Sequence, residues 1–132
     1  MVIDTSAIIA VLFSEATAPR IAQAIEAGST RLLSAANMLE ASIVIESRKG
    51  DVGGRELDLL IYRTAIEIVA VDLDQAEIAR IAWRPFGRGR HPAALNFGDC
   101  FAYALARVRR LPSLYIGDDF AKTDIERVLD VP

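Results

Sequence analysis

The residues of this 132-residue chain best suited to chemistry are its acids. Asp4 closes the opening stretch "MVID", Glu40 lies in "ANMLEASIVIESR", Asp99 in "LNFGDCFAYALA", and Asp118 and Asp119 in "LYIGDDF". On helical spacing Glu40 neighbours Ala36, Ile43, Val44 and Ser47, and Asp99 neighbours Ala102, Tyr103 and Ala106. A carboxylate on such a small and apolar face is costly unless something positive compensates it. Neither face carries an obvious lysine or arginine, so a cation from solution is the economical compensator. Several carboxylates converging on one point form an oxygen-ligand site for Mg²⁺ or Mn²⁺. Such an ion activates water and neutralises a scissile phosphate. Each acid also has an ordinary reading. Asp4 and Asp99 suit helix N-caps, and Asp118 and Asp119 suit a turn.

Other nucleophilic chemistries find little support. One cysteine and one histidine leave a thiolate–imidazole zinc site short of ligands. His91 sits in a Pro-flanked, Arg-rich loop, and no G-x-S-x-G elbow exists to make a serine triad. Cys100 follows Asp99 directly but has no catalytic partner on its own face, so it reads as a small buried hydrophobe. Neither a Walker A nor a G-x-G-x-x-G pattern occurs, which argues against a nucleotide cofactor.

The elements that must position these acids alternate between strand and helix. Strands are expected at Met1–Asp4, Arg31–Ser34, in "IEIVAVD" and in "LPSLYIGDDF", and helices at about Ser6–Phe13, Thr17–Ala27, Ala36–Lys49, Arg55–Thr64, from Asp72 or Asp74 to Trp83, and Asp99–Arg110. Ile8, Ile9 and Leu12 read as core, Asp72 and Asp74 as caps, and "TDIERVLDVP" has no clear place. This alternation predicts an α/β fold with a mostly parallel sheet. In such sheets, sites form outside the carboxyl ends of the strands, where these acids lie. The length suits one domain spanning residues 1–132, with 52% hydrophobic and 25% charged residues. The apolar runs are too short and charge-bounded for a transmembrane helix. No signal peptide is visible, and the lone cysteine fits a reducing, cytoplasmic setting. A net charge of −3 argues against coating nucleic acid by bulk positive charge. Only Lys49 and Lys122 of the 15 basic residues are lysines, and an arginine excess suits phosphate recognition as well as a biased genome.

The pieces "MVIDTSAII", "ANMLEASIVIESR", "LNFGDCFAYALA" and "LYIGDDFAKTDI" together resemble the PIN-domain ribonucleases, most closely the VapC toxins of bacterial toxin–antitoxin pairs. The resemblance covers essentially the whole chain. It implies a single PIN-like domain, an α/β/α sandwich around a short, mostly parallel sheet. It also implies a metal-dependent endoribonuclease with Asp4, Glu40 and Asp99 as the acidic core. The fourth acid is expected to be Asp119, with Asp118 its competitor, and many relatives carry an acid where this chain has Gly117. Asp4 and Asp99 are expected to bind Mg²⁺, with Mn²⁺ as a substitute, while Glu40 and Asp119 hold its waters or a second ion. Thr5 or Ser6 supplies a hydroxyl beside the first acid. Cleavage would leave a 5′-phosphate and a 3′-hydroxyl. The implied partners are an RNA such as tRNA or rRNA, a VapB-type antitoxin and a second copy of the chain.

Arg84, Arg88 and Arg90, in the loop leading to Asp99, are candidate RNA contacts or simply a solvated loop. The Ala-rich helices "AIIAVLF" and "IAQAIEA" are either apolar surface for partners or core. Two other classes compete. One is a catalytically silent PIN-like module that binds RNA or protein. The other is a Mg²⁺-dependent phosphatase or receiver-type domain, for which Lys122 is poorly placed.

Overall fold

A computed structural model describes residues 1–118 and 120–130. Four strands form one all-parallel sheet in the order β3-β2-β1-β4, with β1 at Val2–Ile3, β2 at Leu32–Ser34, β3 at Glu67–Val69 and β4 at Ser113–Leu114. Val2 lies opposite both Leu32 and Ser113. Alternation along these strands divides the core. Val2 and Leu32 join Leu95, Ala102, Leu105 and Tyr115 on one face, whereas Ile3, Leu33 and Leu114 join Ile8, Ile21, Ile25 and Ile45 on the other. The second face is covered by α1 (Thr5–Leu12), α2 (Ala18–Ala27) and α3 (Ala35–Arg63), the first by α4 (Leu73–Phe86) and α5 (Phe97–Arg109). The architecture is the expected single-layered parallel sheet between two helical layers.

Strand order makes the site position special. The chain leaves β1 towards β2 on one side, and β4 later returns to the other side of β1. The crevice outside the carboxyl ends of β1 and β4 is therefore the topological switch point, where open α/β sheets bind ligands. Asp4 follows β1 directly, and the Tyr115–Gly117 segment follows β4.

Several elements differ from the sequence reading. The helices expected on either side of "GDVGG" meet at Gly50, whose φ of 61° and ψ of −154° break the helix for one residue. Helical geometry resumes at once, so residues 50–54 belong to α3 instead of separating two helices. The α4 helix continues through Pro85, which places Arg84 in its last turn. The helix carrying Asp99 begins two residues earlier, at Phe97, because Asn96 caps it. Ile8 is fully buried, while Ile9 and Leu12 pack at the core's edge. Of the Ala-rich helices, α1 buries Ala7, Ile8 and Ala10 and α2 buries Ile21 and Ile25, while Leu39, Ile43 and Tyr62 of α3 and Phe97 of α5 are exposed.

The unplaced tail also acquires a role. Ser113 donates its amide to the Glu126 carbonyl at 2.9 Å, and Val128 donates to the Ser113 carbonyl at 3.0 Å. The tail thus lies along the outer edge of β4, in a parallel bridge between Ser113 and Arg127. Among the described residues, no helix is long and apolar enough to cross a membrane.

Candidate active site

Asp4 is the N-cap of α1, as its ordinary reading required. One carboxylate oxygen, Oδ2, accepts from the Ser6 amide at 2.8 Å and from the Ser6 hydroxyl at 2.6 Å. The capping reading ends there, because Oδ1 is buried without a hydrogen-bond partner. A carboxylate only 3% exposed with one orphaned oxygen carries a desolvation cost. Burial accordingly raises the Asp4 pKa above the usual carboxylate value, against the Ser6 hydrogen bonds, and the nearby Glu40 charge raises it further.

Glu40 enters the same pocket from α3, and its support is local rather than ionic. The Thr5 hydroxyl donates to Glu40 Oε2 at 2.5 Å, and the Asn37 amide nitrogen donates to that oxygen at 3.3 Å. Asn37 also donates to Thr5 Oγ1 at 3.1 Å and to the Gly98 carbonyl at 3.0 Å, thereby joining α1, α3 and α5. The sequence reading missed Asn37, although its position one turn before Glu40 on the same face was a usable signal. Gly98 packs directly on the Glu40 carboxylate, and a Cβ there would collide with both oxygens. This close approach, rather than a special backbone angle, is the reason for glycine.

Asp99 faces the pocket through a capping box. Its Oδ2 accepts from the Asn96 amide at 2.8 Å, while Asn96 Oδ1 accepts from the Asp99 amide at 2.9 Å. Its helix-start role and its place in the site are therefore compatible. Asp4, Thr5, Ser6, Glu40, Asn96, Asp99, Ile116 and Phe120 line one pocket of about 250 Å³. Ser6 has a second duty, accepting from the Ile116 amide at 3.1 Å across the switch-point crevice.

Other sequence candidates fall outside this pocket. Asp118 is exposed and does not line it, and Asp119 lies outside the described residues. Arg84, Arg88 and Arg90 are exposed beyond the pocket, with the Arg90 guanidinium 4.2 Å over the Trp83 ring. Cys100 is buried, and desolvation first, then the Asp99 charge, pushes its thiol up to about 11. Such a thiol is not a nucleophile at neutral pH. His91 turns Nδ1 to the Ala93 amide at 3.0 Å, which makes it a loop brace.

Among the described residues, no three His, Cys, Asp or Glu side chains are already arranged to hold a metal ion. Asp99 Oδ2 is bonded to its own helix start, and Glu40 Oε2 to Thr5 and Asn37. The donor set nevertheless fits a hard divalent cation, being all oxygen and including the orphaned Asp4 Oδ1.

The PIN domain family model matches residues 1–126. The chain belongs to the PIN-domain family. Within it, the chain is 53% identical to ribonuclease VapC30 of Mycobacterium tuberculosis over 97% of its own length and 98% of that relative. It is 52% identical to a ribonuclease VapC of Mycolicibacterium smegmatis, over 97% and 99% of the two chains. The fold is shared with M. tuberculosis VapC20, a sarcin–ricin loop cleaving toxin, at a TM-score of 0.76 and 16% identity over 94% and 95% of the chains. A toxin–antitoxin complex from Klebsiella pneumoniae matches with a TM-score of 0.67 and 21% identity over 93% and 92%. This PIN domain is thus of the VapC ribonuclease type.

Proposed function

We propose that this PIN domain is a divalent-metal-dependent endoribonuclease toxin. The observation that carries the metal reading is the buried Asp4 carboxylate, whose Oδ1 has no partner in a pocket otherwise lined by Glu40, Asp99 and hydroxyls. Asp4 and Asp99 would hold Mg²⁺, or Mn²⁺ in its place, and Asp119 is the proposed fourth acid. The ion, when bound, supplies the Lewis acid for phosphodiester hydrolysis. Ser6 orients Asp4 by donating to one of its oxygens. Glu40, steadied by Thr5 and Asn37, would orient the attacking water and take its proton. Water attacks phosphorus and the bond to the ribose 3′-oxygen breaks, leaving a 5′-phosphate and a 3′-hydroxyl. Arg84, Arg88 and Arg90, each exposed, would supply contacts to RNA phosphates.

The reading carries two protein partners, an antitoxin and a second copy of the chain. The antitoxin assignment is supported by the high identity to VapC ribonucleases. Self-association into a homodimer is supported by an exposed apolar face around Phe97. Phe97, 81% exposed, stands between a hollow lined by Ala76, Ala79, Trp83 and Phe101 and another lined by Leu39, Ile43 and Val44. A knob beside matching hollows suits a two-fold contact. A cytoplasmic location follows from this reading.

The test incubates purified protein with tRNA or rRNA and Mn²⁺, with and without EDTA, beside Asp4→Asn and Asp99→Asn. Cleavage by the native protein alone, abolished by EDTA, is expected. Equal cleavage by all three proteins would overturn the assignment, and metal-independent RNA retention without cleavage would favour a silent binding module.

A further inference from the structure

We propose that Arg127, in the tail just beyond the matched span, is a positioning residue that sets the orientation of Asp4 through the loop after β4; this rests on the metal-nuclease reading above. Arg127 is held in place from three sides. Its guanidinium lies 4.6 Å over the ring of the buried Tyr115, Nη1 pairs with Asp130 at 3.2 Å, and its backbone bridges to Ser113. Its other arm, Nη2, donates to the Gly117 carbonyl at 3.1 Å. Gly117 needs such a clamp, since its φ of +93° leaves the segment in a conformation that glycine enters and leaves easily.

The clamp bears on the site because of what its neighbour does. The amide of Ile116 donates to Ser6 Oγ at 3.1 Å. With that acceptor side occupied, the single hydroxyl hydrogen of Ser6 goes to Asp4 Oδ2 at 2.6 Å, alongside the Ser6 amide at 2.8 Å. Both Ser6 donors on Oδ2 leave Oδ1 as the oxygen without a partner. The path from Arg127 to Gly117, Ile116, Ser6 and Asp4 thus selects which carboxylate oxygen is available to a cation. Outer partners of metal ligands commonly act in this way.

The test compares Arg127→Met, which keeps an apolar stem against Tyr115 but has no donors, with native protein, Ser6→Ala and the double variant. Arg20→Ala serves as control, because Arg20 also ties down the tail, through the Asp130 carbonyl at 3.0 Å, but touches nothing near Asp4. The Mn²⁺ concentration giving half of the metal-induced rise in Tm is read first, and half-saturation of RNA cleavage second. Arg127→Met is expected to raise both midpoints about 10-fold, the lower end for losing an outer partner. In the Ser6→Ala background it should change neither by more than about two-fold, and Arg20→Ala should lower Tm with no change in midpoint. In metal-free protein, amide exchange at Ile116 should accelerate in Arg127→Met, while that of Asp4, bonded to the Leu114 carbonyl, should not. A lower Tm with an unchanged Mn²⁺ midpoint overturns the proposal, as does a full additional effect in the Ser6→Ala background. Arg127→Leu, which also lacks donors, replaces Arg127→Met if the latter does not fold, with the same outcomes expected. Native protein that neither responds to Mn²⁺ nor cleaves RNA overturns the nuclease reading instead, and exchange at Ile116 still decides the hydrogen-bond path.

Discussion

Replacing Gly98 by alanine tests whether the Glu40 carboxylate is seated as described. A Cβ at this position would occupy the space of both Glu40 oxygens. The carboxylate ends a flexible side chain, so it yields before the backbone does. It then gives up the Thr5 bond of 2.5 Å and the Asn37 bond of 3.3 Å. Hydrogen bonds to a charged group contribute about 1.5–3 kcal/mol together with the desolvation they relieve. Alanine in place of glycine in a helix returns up to about 1 kcal/mol. The net expectation is a loss of about 0.5–2 kcal/mol, the difference between those two effects. For a domain of this size that lowers Tm by about 2–7 °C. Nuclease activity should fall about 100-fold, the usual consequence of displacing a reacting group by an ångström. The decisive arm is the same substitution in Glu40→Ala. With the carboxylate gone, only the helical gain remains, so Gly98→Ala becomes neutral or stabilising by up to about 1 kcal/mol. Urea unfolding of the four proteins in EDTA measures the cycle. Equal destabilisation by Gly98→Ala in both backgrounds would falsify the contact and the geometry built on it.

Asp4→Asn separates stability from activity. The buried Asp4 carboxyl binds its proton more tightly when folded, so its stabilising contribution is complete below the unfolded carboxylate pKa and is lost as pH rises through the folded value. In EDTA, Asp4→Asn, which keeps an N-cap, should therefore raise Tm at pH 7 and lose that advantage near pH 4, while cleavage falls by more than about 100-fold. A lower Tm at pH 7 would contradict this. Mn²⁺ at about 100 times its Kd should stabilise the native protein by about 2.7 kcal/mol, reversed by EDTA and absent in Asp4→Asn. Phe97→Glu should stay folded, since that side chain is 81% exposed, but shift the protein to monomer in light scattering. An unchanged mass would exclude this face as the self-association surface. Cys100 should resist alkylation at pH 7.5, where fewer than about one thiol in a thousand is ionised, and Cys100→Ala should retain cleavage.

Much of the scaffold was legible because its signals are local. Alternating strands and helices, Asp72 as an N-cap, and the break at Gly50 each depend on residues within a turn or two of one another. Burial of Cys100 and the placement of Asp4 at the mouth of the sheet followed in the same way. Errors came where neighbouring residues competed locally. Asn96 outbid Asp99 as the cap, and Arg84, read as part of the loop before Asp99, belongs to the last turn of α4.

The sequence by itself determined which acids are present, their helical faces and the strand ends on which they fall, because backbone periodicity depends on near neighbours. Only the tertiary structure decided how each carboxylate is held. Asn37 bonding to Gly98, Thr5 to Glu40, and the Ile116 amide to Ser6 join residues 61, 35 and 110 positions apart. Those contacts exist only once the parallel strands have set β1 between β2 and β4, bringing the starts of α1 and α5 and the first turns of α3 to one crevice. The same packing removes water from Asp4 and leaves a single oxygen unpartnered, which turns a helix cap into a candidate ligand.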